Sequence, residues 1–200
     1  MKQGSILFCP NEQLQSAKQL TDFLKEHKYN WNLLLVDQQP ALELAMTKLI
    51  SSFLAGEGAS DAYQALVMGM SRLSQEFECP PDILVLINDL LVEIEWIIED
   101  EVHDTASYLQ DQLLGYSTLL SSYLVFAQTE GVQWLDARDY IITDDAYGQP
   151  SLLKTHSLEM EAEQKFMSQM LLASTTENNS TMLPQEQKLN CFWPEVLNHA

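Results

Sequence analysis

Residues 134–149, WLDARDYIITDDAYGQ, gather five charged side chains and a glycine around a short apolar run. Asp136, Arg138, Asp144 and Asp145 carry the charges needed to hold a small ligand or a cation. The same residue types also serve a hairpin's own ends. Arg138 can pair with a neighbouring acid, and Asp144 or Asp145 can cap the turn. The second use is the default, because such groups do chemistry only when other parts of a site converge on them. Other candidates are thinner. Glu99 and His103 stand four apart, as in half a metal site, but no second His or Cys pair accompanies them. Cys9 has no base placed near it by the sequence and reads as a buried structural thiol. Ser117–Ser122 lack the G-x-S-x-G setting of a hydrolase nucleophile. Met68, Met70, Met167 and Met170 fall at helical spacing and read as core.

The composition narrows the field further. The 200 residues are 46% hydrophobic, with only 7 Gly and 7 Pro, enough for one domain with a real core. Acids outnumber bases 29 to 10, for a net charge of −19, which opposes nucleic acid and anionic lipid as partners. A nucleotide would need a local cluster of Lys and Arg, and Arg occurs only at Arg72 and Arg138. The first apolar run is too short for a signal peptide, and no segment reaches the ~18 apolar residues that cross a bilayer. Three cysteines at wide spacing make neither a disulfide framework nor a zinc pattern, so a cytoplasmic protein without metal is expected.

The elements that must position these residues follow from periodicity. Residues 5–9 and 31–36 read as short buried strands around a helix over 13–27, a βαβ unit. Leu42, Ala45, Met46, Leu49 and Phe53 mark one further helix. Tyr63, Leu66, Val67, Met70, Leu73 and Phe77 mark another. Helices are also expected over 83–100 and 104–128, then strands at 132–135 and 140–143 with a turn to Gly148. A last helix is expected over 152–173 from Leu153, Leu158, Ala162, Phe166 and Met170. The polar run STTENNSTMLPQEQ then reads as a linker to an apolar island around Phe192 and Trp193, which must bury against this domain or a partner. The division is a domain at 1–173 and a tail at 174–200.

Leu119-Leu-Ser-Ser-Tyr-Leu124, Gly131, Trp134-Leu-Asp-Ala-Arg138, Ile142-Thr-Asp-Asp145 and Gly148, in that order, resemble the N-terminal half of aspartate kinases of the amino-acid-kinase superfamily. The resemblance implies an α/β fold with a short, mainly parallel sheet flanked by several helices. It also makes Asp136, Arg138, Thr143, Asp144 and Asp145 substrate-binding candidates. The family's catalytic parts are not matched. Its first strand reads Lys-Phe-Gly-Gly-Thr-Ser, where this chain has Ile6-Leu-Phe-Cys-Pro-Asn11, and Pro10 has no N–H to give. Lys2 is the one cation close by. The loop after the second strand, Val36-Asp-Gln-Gln-Pro40, adds a negative charge where an acidic substrate would lie. The family's substrate-binding Glu falls on Gln112, Leu113 or Tyr116. The stretch that remains after the hairpin is also shorter than the family's nucleotide lobe.

The expectation is a catalytically inactive, truncated aspartate-kinase-like protein without cofactor. It would act by self-association or by binding a full-length kinase, with Phe192 and Trp193 at a contact. One alternative is a divergent kinase that phosphorylates L-aspartate with ATP and Mg²⁺. Another is an acidic helical interaction module of different ancestry.

Overall fold

The computed structural model describes residues 6–27, 31–99, 105–147, 150–156, 164–169, 172–175 and 179–182. Strand β1 (Ile6–Cys9) leads through a 3-10 turn (Asn11–Leu14) and helix α1 (Ala17–Glu26) to β2 (Leu33–Val36), and β1 and β2 pair in parallel. This is the expected βαβ unit. The helix expected over 13–27 is interrupted, because the Ser16 hydroxyl accepts from the Gln19 N–H and so starts α1 afresh. All four residues of β2 are fully buried, as a parallel strand covered on both faces requires.

Four helices follow: α2 (Pro40–Leu54), α3 (Ala59–Glu76), α4 (Pro81–Glu99) and α5 (Ala106–Phe126). Pro40 and Pro81 each occupy a first helical position, where the missing N–H costs nothing. Gly56 and Gly58, both at φ 71°, turn the chain between α2 and α3. The Thr105 hydroxyl caps α5 by accepting from the Tyr108 N–H. The inward stripes match the sequence pattern: Leu42, Met46 and Leu49 on α2, then Tyr63, Leu66, Met70, Leu73 and Phe77 on and just after α3. The methionines do not form one stripe, since Met70 and Met167 are buried and Met68 is exposed. Helix α2 packs on α3 and α5, and α4 packs on α5 and α3. No helix among the described residues is long and apolar enough to cross a membrane.

After α5 come β3 (Gln133–Trp134), β4 (Ile141–Thr143), β5 (Leu152–Thr155), β6 (Phe166–Gln169), β7 (Leu172–Thr175) and β8 (Ser180–Met182). One four-stranded sheet runs β1-β2-β6-β3, parallel throughout. A second runs β5-β4-β7-β8, antiparallel except between β4 and β7. The α/β class with a short, mainly parallel sheet is therefore as expected, and the parallel sheet sets aside the purely helical module. The helix expected over 152–173 is corrected: its described residues form β5, β6 and part of β7. The reason is tertiary. The run Phe166–Gln169 fills the slot between β2 and β3, where a strand pairs its backbone on both sides. Periodicity cannot separate helix from strand in so short an apolar run. A boundary at 173/174 falls inside β7, and residues through Met182 belong to the second sheet. Phe192 and Trp193 lie outside the described residues.

Two glycine substitutions test this packing. A Cβ on Gly115 in α5 would meet Ser180 Cβ at 3.0 Å and Leu172 Cδ1 at 3.2 Å, whereas a Cβ on Gly69 in α3 meets nothing within 4 Å. Gly69→Ala should therefore stabilise by about 0.5–1 kcal/mol, the ordinary helix gain. Gly115→Ala should destabilise by about 1 kcal/mol or more, because overpacking outweighs that gain. Urea melts of the two variants, with opposite shifts in midpoint, check both.

Candidate functional site

In an open parallel sheet, ligands bind in the crevice outside the carboxyl ends of the strands. Those ends here are Cys9, Val36, Trp134 and Gln169. The loop after β2 runs straight into α2, and each of its N–H groups already has a partner. The Asp37 N–H donates to the Cys9 carbonyl at 3.1 Å. The Gln38 N–H donates to Asp37 Oδ1 at 2.9 Å, and the Gln39 N–H donates to Ser121 Oγ at 2.8 Å. Pro10 and Pro40 have no N–H to offer.

Helix α5 supplies most of the acceptors. Its hydroxyls at Ser117, Thr118, Ser121 and Ser122 each donate to a carbonyl of their own helix, which leaves their oxygens to accept from outside. Gln38 Nε2 donates to Ser117 Oγ and Thr118 Oγ1, both at 3.0 Å. Ser122 Oγ accepts from Trp134 Nε1 at 3.0 Å and from Gln169 Nε2 at 2.9 Å. Gln169 Oε1 in turn accepts from the Ala137 N–H at 2.9 Å. One turn earlier, Gln112 bonds both backbone groups of Ser180, and Asp111 Oδ2 accepts from Thr181 Oγ1 at 2.8 Å. Buried side chains beside the strand ends thus satisfy one another.

Arg138 lies at the margin of this network, in a 3-10 turn (Ala137–Asp139) capped by Asp136. Its guanidinium is held two-pronged by Asp136, Nε to Oδ1 at 3.0 Å and Nη2 to Oδ2 at 2.6 Å, and Nη1 donates to Ser180 Oγ at 3.2 Å. Burial opposes its charge, but the bonds and charge of Asp136 outweigh that and raise its pKa. The other sequence candidates sit apart from it. Thr143 is buried in β4 and donates to the Ser174 carbonyl at 3.4 Å. Asp144 caps the β4–β5 turn, accepting from the N–H groups of Ser151 at 2.9 Å and Ala146 at 3.3 Å. These bonds, Ser151 first, lower its pKa. Asp145 is exposed beside it. Asp136 and Arg138 are therefore brought together, while Thr143 and Asp144 serve the second sheet.

Burial, with the charge of Asp37 adding to it, pushes the Cys9 thiol up to about 12. Burial likewise raises Tyr116, helped by the charge and hydrogen bond of Glu93, and pushes Tyr123 up to about 12, helped by Asp136. Among the described residues no group of three His, Cys, Asp or Glu could hold a metal ion. Glu99 ends α4, while His103 and Lys2 lie outside the described residues. A nucleotide's phosphates need cations and uncommitted N–H donors. The loop after β2 presents a carboxylate, a proline and three committed N–H groups, which are not the cations and free donors that phosphates need.

Sequence reasoning named Ser117–Ser122 and Gln112 but missed the bonds these residues make and the part played by Gln38 and Gln169. One signal was available: Ser117 and Ser121, and Thr118 and Ser122, recur every four residues in the largely apolar second half of α5. Buried polar groups at helical spacing must find partners.

Three outcomes follow from this geometry. Gln169→Leu should destabilise by about 1–3 kcal/mol, because it strands the Ala137 N–H and removes a donor from Ser122, as a thermal melt would show. Cys9 should resist iodoacetamide at pH 8 by ~10²-fold relative to the urea-unfolded chain, since only the thiolate reacts. The same thiol has a pH sign. Its folded pKa lies above the unfolded value, so the unfolded chain loses that proton first. Its contribution is complete below about pH 9 and declines from there towards pH 12. Urea melts of Cys9→Ala should show a shallower loss over that window.

No protein-family model matches the chain, and no curated protein matches it by sequence. Solved structures do. E. coli aspartokinase III in complex with lysine and aspartate, in its T-state, superposes with a TM-score of 0.75 at 16% identity, covering 98% of this chain and 47% of that one. Its R-state complex with aspartate and ADP gives 0.73 at 17% identity over the same shares. Clostridium acetobutylicum aspartate kinase gives 0.63 at 10% identity, covering 90% of this chain and 41% of that one. The chain spans about half the length of these solved relatives, and over that span its fold is that of an aspartokinase.

Proposed function

We propose that this chain is a non-catalytic protein on an aspartokinase scaffold that acts by binding another protein. One observation carries the reading: the N–H donors of the loop after β2, at Asp37, Gln38 and Gln39, are spent within the chain. The Gln39 N–H is held by Ser121, the Gln38 side chain by Ser117 and Thr118, and the charge of Arg138 by Asp136. Phosphoryl transfer is catalysed by positioned cations and backbone donors, and the loop after β2 holds an aspartate and two glutamines instead. The partners that share this scaffold are a second copy and a full-length aspartokinase. A cytoplasmic setting accords with Cys9 and Cys79 as free thiols.

The competing reading is a divergent aspartate kinase, and the likeness to the aspartate- and ADP-bound E. coli enzyme is what favours it. Hydroxamate trapping of aspartyl phosphate, with purified chain, ATP, Mg²⁺ and L-aspartate, separates the two. The expected result is no turnover above blank. Turnover that disappears in Arg138→Ala would establish the kinase reading instead.

A further inference from the structure

We infer that the outward face of α4 docks a basic amphipathic helix of another protein, a conclusion that rests on the binding reading above. Helix α4 turns Ile83, Ile87, Leu90, Leu91 and Ile94 inward. On its opposite side Val85, Asp89, Val92 and Trp96 succeed one another at spacings of four, three and four. That is the spacing of a helix–helix seam. Val85 is 58% exposed and Trp96 66% exposed, and Leu84 and Leu86 flank the seam, also exposed. Leu84 continues this surface into a cleft of about 430 Å³ between α3 and α4, where Met70, Ile87 and Leu91 are among the lining residues. A soluble helix that presents valine and tryptophan along one outward line has the form of a docking face for an apolar helix stripe.

Charge selects the occupant. Residues 81–99 hold Asp82, Asp89, Glu93, Glu95 and Glu99 and no Lys, Arg or His. Asp89 lies within the seam itself, between Val85 and Val92. A second copy would set this acidic face against itself, with Asp89 entering an interface that holds no cation, in a chain of net charge −19. A polar residue at a seam position selects the partner that can neutralise it. The complement is a helix with an apolar stripe flanked by Lys or Arg.

The test uses the full chain and synthetic helical peptides with leucine at seam positions, flanked either by lysine or by glutamate, followed by calorimetry. The Leu/Lys peptide should bind with a blue shift of tryptophan emission that is absent in Trp96→Ser. Trp96→Ser and Asp89→Lys should each weaken its Kd by roughly tenfold or more, as a central aromatic anchor and a matched charge imply. Both sites are on the surface, and circular dichroism melts confirm that the variants fold. Equal binding of the Leu/Glu peptide, or an unchanged Kd in both variants, would overturn the docking face while leaving the non-catalytic reading intact. That reading fails only through the hydroxamate assay. Sedimentation showing a dimer that Trp96→Ser dissociates would overturn the basic-helix docking in favour of a second copy. Trp96 emission that is shielded in the free monomer and becomes exposed on Phe192→Ser/Trp193→Ser would overturn it in favour of this chain's own C-terminal segment.

Discussion

The structure hinges on how α5 disposes of its polar side chains. This helix is buried on nearly every side, yet it carries Asp111, Gln112, Ser117, Thr118, Ser121 and Ser122 into the interior. Each would cost about 1–3 kcal/mol if left without a partner. None is. The hydroxyls bond back to their own helix and accept from the loop after β2, from β3 and from β6, while Asp111 and Gln112 hold β8. One helix thus joins the two sheets. Its close approach to β8 and β7 depends on the bare Cα of Gly115.

That arrangement has a chemical consequence. A donor engaged with a buried acceptor is not available to an anion without breaking a bond in a region of low dielectric. The loop after β2 is in this condition over Asp37–Gln39, and Arg138 is in it through Asp136. An aspartokinase fold is thus combined here with a loop after β2 whose N–H groups are committed to the interior. On the far side of the helical layer α4 shows the reverse, apolar and acidic groups turned outward with no basic residue along the helix. Polar groups turned inward and apolar groups turned outward are both departures from the usual partition, and each points to a surface or site under a separate demand.

Particular elements show how far the sequence could be read. Helices α2 and α3 were legible because an amphipathic stripe repeated over four or more turns has no strand equivalent, and α4 and α5 because apolar runs of their length are too long for a strand. The βαβ start was legible because short apolar runs flanked a helix. The stretch 152–173 was not, since its apolar residues fit both periods, and only the open slot between β2 and β3 makes Phe166–Gln169 a strand. The break at Ser16 was missed because a cap is a local hydrogen bond inside a run that otherwise scores as helix. Of the candidate site, the pairing of Arg138 with a neighbouring acid and a capping role for Asp144 or Asp145 could be proposed from residue type alone. The glutamines could not, because Gln38 lies 79 residues from Ser117, and Gln169 lies 47 from Ser122.

The sequence by itself determined the fold class, the helical layer, the buried Cys9 and the strongly acidic character, because these follow from composition and local periodicity. The tertiary structure alone decided which of two periods the described residues of 152–173 adopt. It also decided that the second sheet extends through β8, and that the polar residues of α5 bond the loop after β2. Each of these is settled by pairing between residues far apart in the chain, where a backbone ladder or a buried hydrogen bond must be completed and local preference is too weak to choose.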